Sequence, residues 1–200
     1  MNLRQGALLA AAVLMVAVAG CSTTASGIKN PNYANRTLSD AAVLVVNSDL
    51  DLGLKLEKDL VSQLEANHIT AIGITKEVQF VTNESERAAL RKRLVDSGVK
   101  EVVYVALGDI SQSDIAGYQL TGTANAYGNT AYSSGSAIPV RTFTRDMTIS
   151  CRIDDLSSRK TIWKGASRRH AQGLLFIGDG SMISNAVTGL VDELKKEGVL

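Results

Sequence analysis

Three short apolar runs, separated by stretches with helical spacing, constrain most strongly what this chain can fold into. The runs are residues 41–46 (AAVLVV), 69–74 (ITAIGI) and 102–107 (VVYVAL). The first is a continuous apolar, β-branched run, as expected of a strand that is covered on both faces; the second predicts a short strand, and the third predicts another buried strand. Residues 50–67 and 83–97, which lie between the runs, show the spacing of helices. The order β-α-β-α-β predicts an α/β fold with a partly parallel sheet.

The signals at the helix ends agree with this prediction. Residues 47–49 (NSD) supply turn and N-cap side chains directly before the first helix. Asn83 and Glu86 form a capping pair at the start of the second helix, and Gly98 is expected to end it.

The second half of the chain is expected to contain antiparallel strands and a final helix. Residues 143–153 alternate between apolar and polar side chains, residues 154–159 form a turn, and residues 160–169 return as a second strand. Ser181 is expected to cap a helix with a wide apolar stripe, which Gly198 ends. The predicted fold is therefore α/β with a mixed sheet, in which antiparallel strands and a C-terminal helix follow the β-α-β-α-β unit.

The N-terminus has the features of an export signal. Arg4 and the α-amino group make its start weakly positive, and the thirteen residues 7–19 contain no polar side chain. A helix that crosses a bilayer takes about 20 residues, so this run is too short to span a membrane. Its length suits the apolar core of a signal peptide, and Ala19 and Gly20 supply the small residues of a cleavage site.

Val18, Ala19, Gly20 and Cys21 resemble, position by position, the recognition box of bacterial lipoprotein signal peptides. The resemblance implies that a signal peptidase recognises the first three residues and leaves Cys21 as the lipidated N-terminus. Several acyl chains anchor a protein stably, whereas one binds only marginally. Ser22, where some lipoproteins have aspartate, implies sorting to the outer membrane, facing the periplasm, over retention in the inner membrane. The alternative is an ordinary secretory signal or a buried N-terminal helix, with Cys21 as an unmodified thiol.

Three segments are expected along the chain. Residues 1–20 form the lipoprotein signal peptide. Residues 21–40 comprise the lipidated cysteine and a flexible tether, because they are rich in Ser, Thr, Asn and Gly. Residues 41–200 form a single α/β domain, which is long enough for a sizeable core.

Composition argues against several functions. Removal of the signal peptide removes one of the 21 basic residues, Arg4, and none of the 20 acidic residues. The remaining chain has 20 basic and 20 acidic residues, and this balance argues against nucleic-acid binding. With Cys21 acylated, Cys151 has no disulfide partner and is expected to be a small core residue. His68 and His170 are far apart and lack close-spaced ligands, so neither a metal nor another cofactor is expected.

Catalytic patterns are weak. Ser181, His170 and Asp179 could be combined into a hydrolytic triad, but no nucleophile elbow of the form Gly-x-Ser-x-Gly is present. Residues 178–181 (GDGS) open a helix without the third glycine of a dinucleotide site, and Asp179 would repel phosphate. His68 is interpreted as a residue that stabilises a helix C-terminus. No catalytic residue is predicted, and the chain is not expected to be an enzyme.

Six basic residues cluster in sequence around the predicted hairpin. They are Arg152, Arg159, Lys160, Lys164, Arg168 and Arg169. One interpretation is a solvated charged face, and the other is a basic patch that contacts an acidic partner or a glycan strand. Residues 128–136 (GNTAYSSGS) are expected to form a loop, and residues 124–136 have the composition either of a recognition loop or of a disordered segment.

Residues 152–155 (RIDD) and 160–165 (KTIWKG) resemble a motif of small envelope α/β domains. This group includes the amino-terminal domain of the Tol translocation protein TolB and the outer-membrane lipoprotein that activates a penicillin-binding protein. The resemblance implies the same topology, and by analogy a role in the envelope.

The functional hypothesis is a lipid-anchored periplasmic interaction or assembly module without catalysis. Its partners would be the membrane, through the lipid, and an envelope protein, and it would regulate an envelope machine such as the one for peptidoglycan synthesis. The alternative is a self-associating structural or secretion-related lipoprotein, by analogy with the curli-secretion lipoprotein. The third hypothesis is an enzyme of unrecognised type.

Overall fold

Seven strands and four α-helices occupy the part of the chain that the computed structural model describes, which is residues 20–47, 49–108, 110–127, 130–173 and 178–200. A single 3₁₀ turn, Pro31–Tyr33, follows the first strand. The strands are β1 (Cys21–Lys29), β2 (Asp40–Val46), β3 (Thr70–Gly73), β4 (Glu101–Leu107), β5 (Ser111–Tyr127), β6 (Thr130–Asp155) and β7 (Thr161–Gly173). The helices are α1 (Leu50–Ala66), α2 (Thr75–Val78), α3 (Glu84–Asp96) and α4 (Asp179–Lys196).

The first half of the chain forms the predicted β-α-β-α-β unit. β2 lies between β3 and β4 and is parallel to both, so that Ala42 is opposite Ile72 on one side and Val102 on the other. Asp49 caps α1 by accepting a hydrogen bond from the Leu52 N–H (3.1 Å). Asn83 caps α3 in the same way, by accepting from the Glu86 N–H (3.0 Å). The apolar runs and caps of the sequence therefore predicted this unit correctly.

The second half adds antiparallel strands, which makes the sheet mixed as predicted. β4 and β6 are antiparallel, with Val105 opposite Cys151. A short turn then joins β6 to β7, and the Asp155 N–H donates to the Lys160 carbonyl oxygen (2.9 Å). The strand order is β1-β7-β6-β4-β2-β3, and β5 pairs with β6.

One face of this sheet is covered by α1 and α4, which pack against each other. Side chains alternate along a strand, so one set of positions in each strand faces the helices. Val45, Val105 and Cys151 are neighbours across the sheet on this face, and Val45 is next to Gly53 of α1. The apolar stripe predicted for α4 is buried here: Met182, Ile183, Ala186, Val187, Leu190, Val191 and Leu194.

The opposite face is covered only in part. Leu94 of α3 packs there with Ala42 and Val102, in a small cluster that also contains Ile74 and Leu156. Further along the sheet, none of the described helices covers this face of β6 and β7, where Arg152, Lys164 and Arg168 are exposed. The sheet thus has one face that α1 and α4 cover and an opposite face on which β6 and β7 carry exposed charged residues.

The flexible tether predicted for residues 21–40 is wrong, because this segment is built into the fold. The Asn30 N–H donates to the Ile162 carbonyl oxygen (2.8 Å), which fixes β1 to β7. Leu38 is buried, and its N–H donates to the Val199 carbonyl oxygen (2.8 Å). The composition of β1 is that of a linker, and its strand conformation comes from the partner strand that β7 offers.

The described residues group into two units, whereas one domain was expected over residues 41–200. The larger unit contains most of the sheet with its four helices. The smaller unit comprises described residues within 1–21, 111–145 and 170–177. Its main feature is the pair formed by β5 and the first part of β6, so the predicted loop at 128–136 is wrong where it is described, from residue 130 onward. Residues 128 and 129 lie outside the described residues.

Two helix details also differ from the predictions. α4 begins at Asp179 with Gly178 as its N-cap, so Ser181 lies inside the helix and does not cap it. α2 was not predicted, since four residues are too few to show helical periodicity.

No helix among the described residues has both the length and the apolar character needed to cross a membrane.

Candidate functional site

The predicted lipid-attachment residue stands at the very start of β1. Val18 and Ala19 lie outside the described residues, and Gly20 is the first residue described. The Gln172 N–H donates to the Gly20 carbonyl oxygen (2.8 Å), which holds the backbone directly before Cys21 against β7. Cys21 itself is exposed and is not in a disulfide. A lipid on Cys21 would therefore be attached to an ordered strand.

The second cysteine is a core residue, as predicted. Cys151 is buried on the helix-covered face of β6, opposite Val105. Desolvation raises the pKa of the Cys151 thiol to about 12, so the thiol stays protonated and unreactive at neutral pH.

Three of the six predicted basic residues share the open face of the sheet. Lys164 and Arg168 are four residues apart on β7 and therefore point to the same side. Arg168 Nη2 lies 3.3 Å from Asp146 Oδ1 on β6, and Arg152 is six residues from Asp146 on that strand, so it shares this side. We call Arg152, Lys164 and Arg168 the basic face.

The basic face is only partly neutralised. Arg152 Nε lies 3.0 Å from Asp154 Oδ2, and its guanidinium carbon is 4.7 Å from the centre of the Tyr104 ring. Arg168 pairs with Asp146 as described above, whereas Lys164 forms no ion pair with any described residue. In both ion pairs the carboxylate is half-buried but the arginine side chain is exposed, so the guanidinium groups remain accessible to another anion.

The other three predicted residues lie elsewhere. Arg159 and Lys160 are exposed in the turn between β6 and β7, and Arg159 has a positive φ of 60°. Arg169 follows Arg168 directly along β7, so it points to the helix-covered face, where its Nη1 donates to Thr23 Oγ1 (2.8 Å). The geometry therefore removes Arg169 from the predicted patch and assigns it to packing against β1.

A buried ionic cluster joins the N-terminal segment to the sheet, and no pattern in the sequence indicated it. Arg36 Nη2 lies 2.9 Å from Glu101 Oε1, and Arg36 Nη1 also pairs with Asp155 Oδ2. Both carboxylates are buried, and the Asp155 carboxylate accepts further hydrogen bonds from Ser157 Oγ and the Ser158 N–H, each 2.6 Å long. Because Arg36 falls in the predicted tether, no periodic pattern pointed to it.

The electrostatics of this cluster favour the charged forms. Burial alone would raise the pKa of Asp155, but the hydrogen bonds from Ser157 and Ser158 and the charge of Arg36 hold the pKa well below its usual range. Burial likewise would lower the pKa of Arg36, yet the hydrogen bond to Glu101 and the two carboxylate charges raise it. Arg36 and Asp155 are therefore both charged at neutral pH, and their ion pair holds the N-terminal segment to the end of β6.

The residues considered for catalysis lie on two elements, with His170 on β7 and with Asp179 and Ser181 in the first turn of α4. His68 is exposed just after α1 with a positive φ of 65°. Among the described residues, no group of three or more His, Cys, Asp or Glu side chains is arranged to hold a metal ion.

No protein-family model matches the sequence, and no curated protein matches it significantly. Solved structures do resemble the chain. A point variant of the PelC dodecamer from Paraburkholderia phytofirmans is 12% identical, with a TM-score of 0.49 over 90% of this chain and 100% of its own. The PelC dodecamer from the same organism is 13% identical, with a TM-score of 0.48 over 88% of this chain and 97% of its own.

A third similar structure is the lipoprotein GNA1162 from Neisseria meningitidis. It is 12% identical, with a TM-score of 0.46 over 79% of this chain and 99% of its own. The solved structures that resemble this chain therefore include a bacterial lipoprotein and an oligomeric protein.

Proposed function

We propose that this chain is a lipid-anchored interaction module of the bacterial cell envelope and acts without catalysis. The observation that carries the proposal is the open sheet face over β6 and β7, on which Arg152, Lys164 and Arg168 are exposed together. Ile28 of β1 adds an apolar side chain to the same face and is 77% exposed. An accessible face that combines cations with an apolar contact suits a partner of opposite charge.

The partner we propose is an acidic segment of another envelope protein. Guanidinium groups bind carboxylates with two parallel hydrogen bonds, and the side chains of Arg152 and Arg168 are exposed enough to form such contacts with a partner. Through this face the module would regulate an envelope machine, of which the peptidoglycan-synthesis machinery is one example.

The anchor in this proposal is Cys21, acylated after removal of residues 1–20. Ser22 favours the outer membrane, with the domain facing the periplasm. Because β1 begins at Cys21, the acyl chains would leave directly from an ordered strand. Incorporation of a palmitate analogue and membrane fractionation test this part. The wild-type chain should be labelled and sediment with outer membranes, whereas Cys21→Ala should lose the label.

A photo-crosslinking amino acid at Ala166 tests the interaction surface, because Ala166 lies between Lys164 and Arg168 on the basic face. The matched control places the same amino acid at Lys58, on the exposed side of α1. In intact cells we expect one dominant crosslinked protein from position 166 and none of that size from position 58. Equal crosslinking from both positions would show that the basic face does not select a partner.

Self-association is a second candidate function, favoured by the β5–β6 hairpin. Residues 115–140 contain no charged side chain, and the hairpin belongs to the same unit as Cys21. A two-stranded hairpin is marginally stable alone and gains from additional strands, and uncharged edge strands invite pairing. A shared membrane also concentrates anchored copies near one another.

Charge substitutions in the hairpin distinguish this candidate from the first. Tyr118 and Ile138 are 74% and 50% exposed, and Phe80, outside the hairpin, is 81% exposed. If copies associate through the hairpin, sedimentation of the acylated chain in detergent should show discrete oligomers that Tyr118→Asp and Ile138→Asp abolish and Phe80→Asp leaves intact. A monomer in all four proteins would eliminate self-association while leaving the interaction module untouched.

A further inference from the structure

α3 is attached to the sheet by little buried surface. Leu94 is its one buried residue, and Leu90, one turn earlier, is only partly covered. The helix therefore leaves an open groove of about 420 Å³ between itself and the sheet. Clefts of this size are in the range of small-molecule sites.

The floor and sides of the groove are almost entirely apolar. Its apolar lining includes Leu44, Ile74, Val78, Leu90, Val102 and Leu156. Leu44, Val78 and Leu90 pack against the buried cluster but remain partly exposed to the groove. This surface would gain roughly 25 cal/mol for each Å² of apolar area that a ligand covered.

The mouth of the groove is positively charged. Among the described residues that line it, Arg87 and Arg91 carry charge and no Asp or Glu is present. Arg87 has an exposed partner in Glu84 at 3.8 Å, which is a weak pair. Arg91 is half-buried and pairs with none of the described carboxylates. The groove thus combines an apolar floor with two cations, of which Arg91 has no ion-pair partner among the described residues.

We propose that this groove binds an anionic amphiphile, with its aliphatic chain along the apolar floor and its headgroup on Arg91 and Arg87. A guanidinium matches the planar oxygens of a carboxylate or phosphate, and such charge-assisted hydrogen bonds are strong. A neutral lipid would leave Arg91 without an anion, and a small inorganic anion would leave the apolar floor uncovered. The proposal does not depend on the basic face or on its partner.

The test uses the full chain with Cys21→Ala, which removes the acyl chains as internal competitors. Isothermal titration with dodecanoate, dodecyl phosphate and dodecanol, each below its micelle concentration, compares two anionic heads with a neutral one. We expect saturable binding of at least one anionic probe and about tenfold weaker binding of dodecanol. The tighter of the two anions then identifies the headgroup.

Two variants of α3 locate the binding site. Arg91→Gln should weaken binding of the anionic probe about tenfold. Lys92→Gln removes the same charge from the next residue, whose ammonium pairs with Asp96 on the exposed side, and should leave the affinity unchanged. Hydrogen exchange provides a second readout, because a ligand under α3 should slow exchange of its amide protons.

Three results would overturn the proposal. The first is the absence of saturable binding to any anionic probe. The second is equal affinity for dodecanoate and dodecanol together with no effect of Arg91→Gln. The third is slowed exchange of α3 by an acidic amphipathic peptide but by neither anionic amphiphile, which would assign the groove to a protein segment.

Discussion

The indole ring of Trp163 lies against the backbone of Gly27, so closely that a Cβ at Gly27 would overlap ring atom Cζ2. Trp163 is completely buried on β7, and Gly27 is the residue of β1 that crosses it. Gly165, two residues after Trp163, is equally close to the ring. The Trp163 ring, the largest side chain of the core, thus fits only because two neighbouring residues are glycines. Its contact with Gly27 packs β1 against β7.

Gly27→Ala should destabilise the fold. The added methyl group has no space beside the Trp163 ring, and overpacking of this kind costs about 2 kcal/mol. Urea unfolding followed by tryptophan fluorescence measures the change directly, since the chain contains one tryptophan. An unchanged midpoint would mean that β1 moves away from Trp163 freely and is not fixed to the sheet.

Gly53→Ala is the matched substitution, and it is expected to stabilise the fold. A Cβ at Gly53 would meet Asn47 Cβ at 3.6 Å and Val45 Cγ1 at 3.7 Å, which are ordinary contacts. Alanine favours the helix over glycine, so α1 should gain roughly 0.5–1 kcal/mol. Destabilisation by both alanines would indicate that the larger unit tolerates no added volume at all, and would remove the special role of Trp163.

Arg36→Gln should destabilise the fold by leaving two buried carboxylates without their cation. Breaking a buried pair costs about 3–5 kcal/mol, and we expect roughly 2–3 kcal/mol here because the Arg36 side chain is 34% exposed. Lys100→Gln is the control, because its pair with Asp40 is on the surface and should matter little. Equal unfolding midpoints for both variants would contradict the structural role of the buried cluster.

The same cluster makes stability dependent on pH. In the folded state the pKa of Asp155 is held well below its usual range, whereas in the unfolded chain it returns to about 3.9. The stabilisation from this carboxylate is thus complete above about pH 4–5 and is lost as the pH falls toward the folded pKa. As the pH is lowered from about 5 to about 2, the free energy of unfolding should therefore fall more steeply for the wild type than for Asp155→Asn. Parallel curves for the two proteins would contradict this linkage.

Cys151 should resist alkylation in the folded protein. Its thiol is buried, and a pKa of about 12 leaves almost no thiolate at about pH 8. In the Cys21→Ala chain, where Cys151 is the one remaining thiol, iodoacetamide should modify the denatured protein completely and the native protein only as it unfolds. Rapid modification under native conditions would show that β6 opens or that the thiol is accessible.

The elements that the sequence predicted well are those whose signals are local. The run at residues 41–46 became β2, and the helical spacing of Leu56, Leu60 and Leu64 became the buried side of α1. Gly98, expected to end a helix, has a positive φ of 91°, which a glycine adopts without strain. Hydrophobic periodicity, caps and stop residues each depend on a few neighbours in sequence, so they can be recognised without the fold.

The features that the sequence did not predict depend on distant partners. β1 is a strand because β7 lies beside it and Gly27 fits against Trp163, which its Ser-, Thr- and Gly-rich composition cannot indicate. Arg36 acquires its role from carboxylates far along the chain. That the six basic residues do not all share one face could have been predicted from the sequence. Arg168 and Arg169 are adjacent on a predicted strand and must therefore point to opposite faces.

The central claim, that the basic face binds an envelope partner, is tested most directly by reversing its charge. The test variant combines Lys164→Glu with Arg168→Glu, which reverses the charge of the basic face. The control variant combines Lys58→Glu with Lys195→Glu, at exposed positions of α1 and α4, and changes the net charge by the same amount. Tagged full-length chains are crosslinked in intact cells, and the captured proteins are identified by mass spectrometry. We predict one dominant partner that the first double variant loses and the second retains. Equal capture by the two double variants would contradict the account.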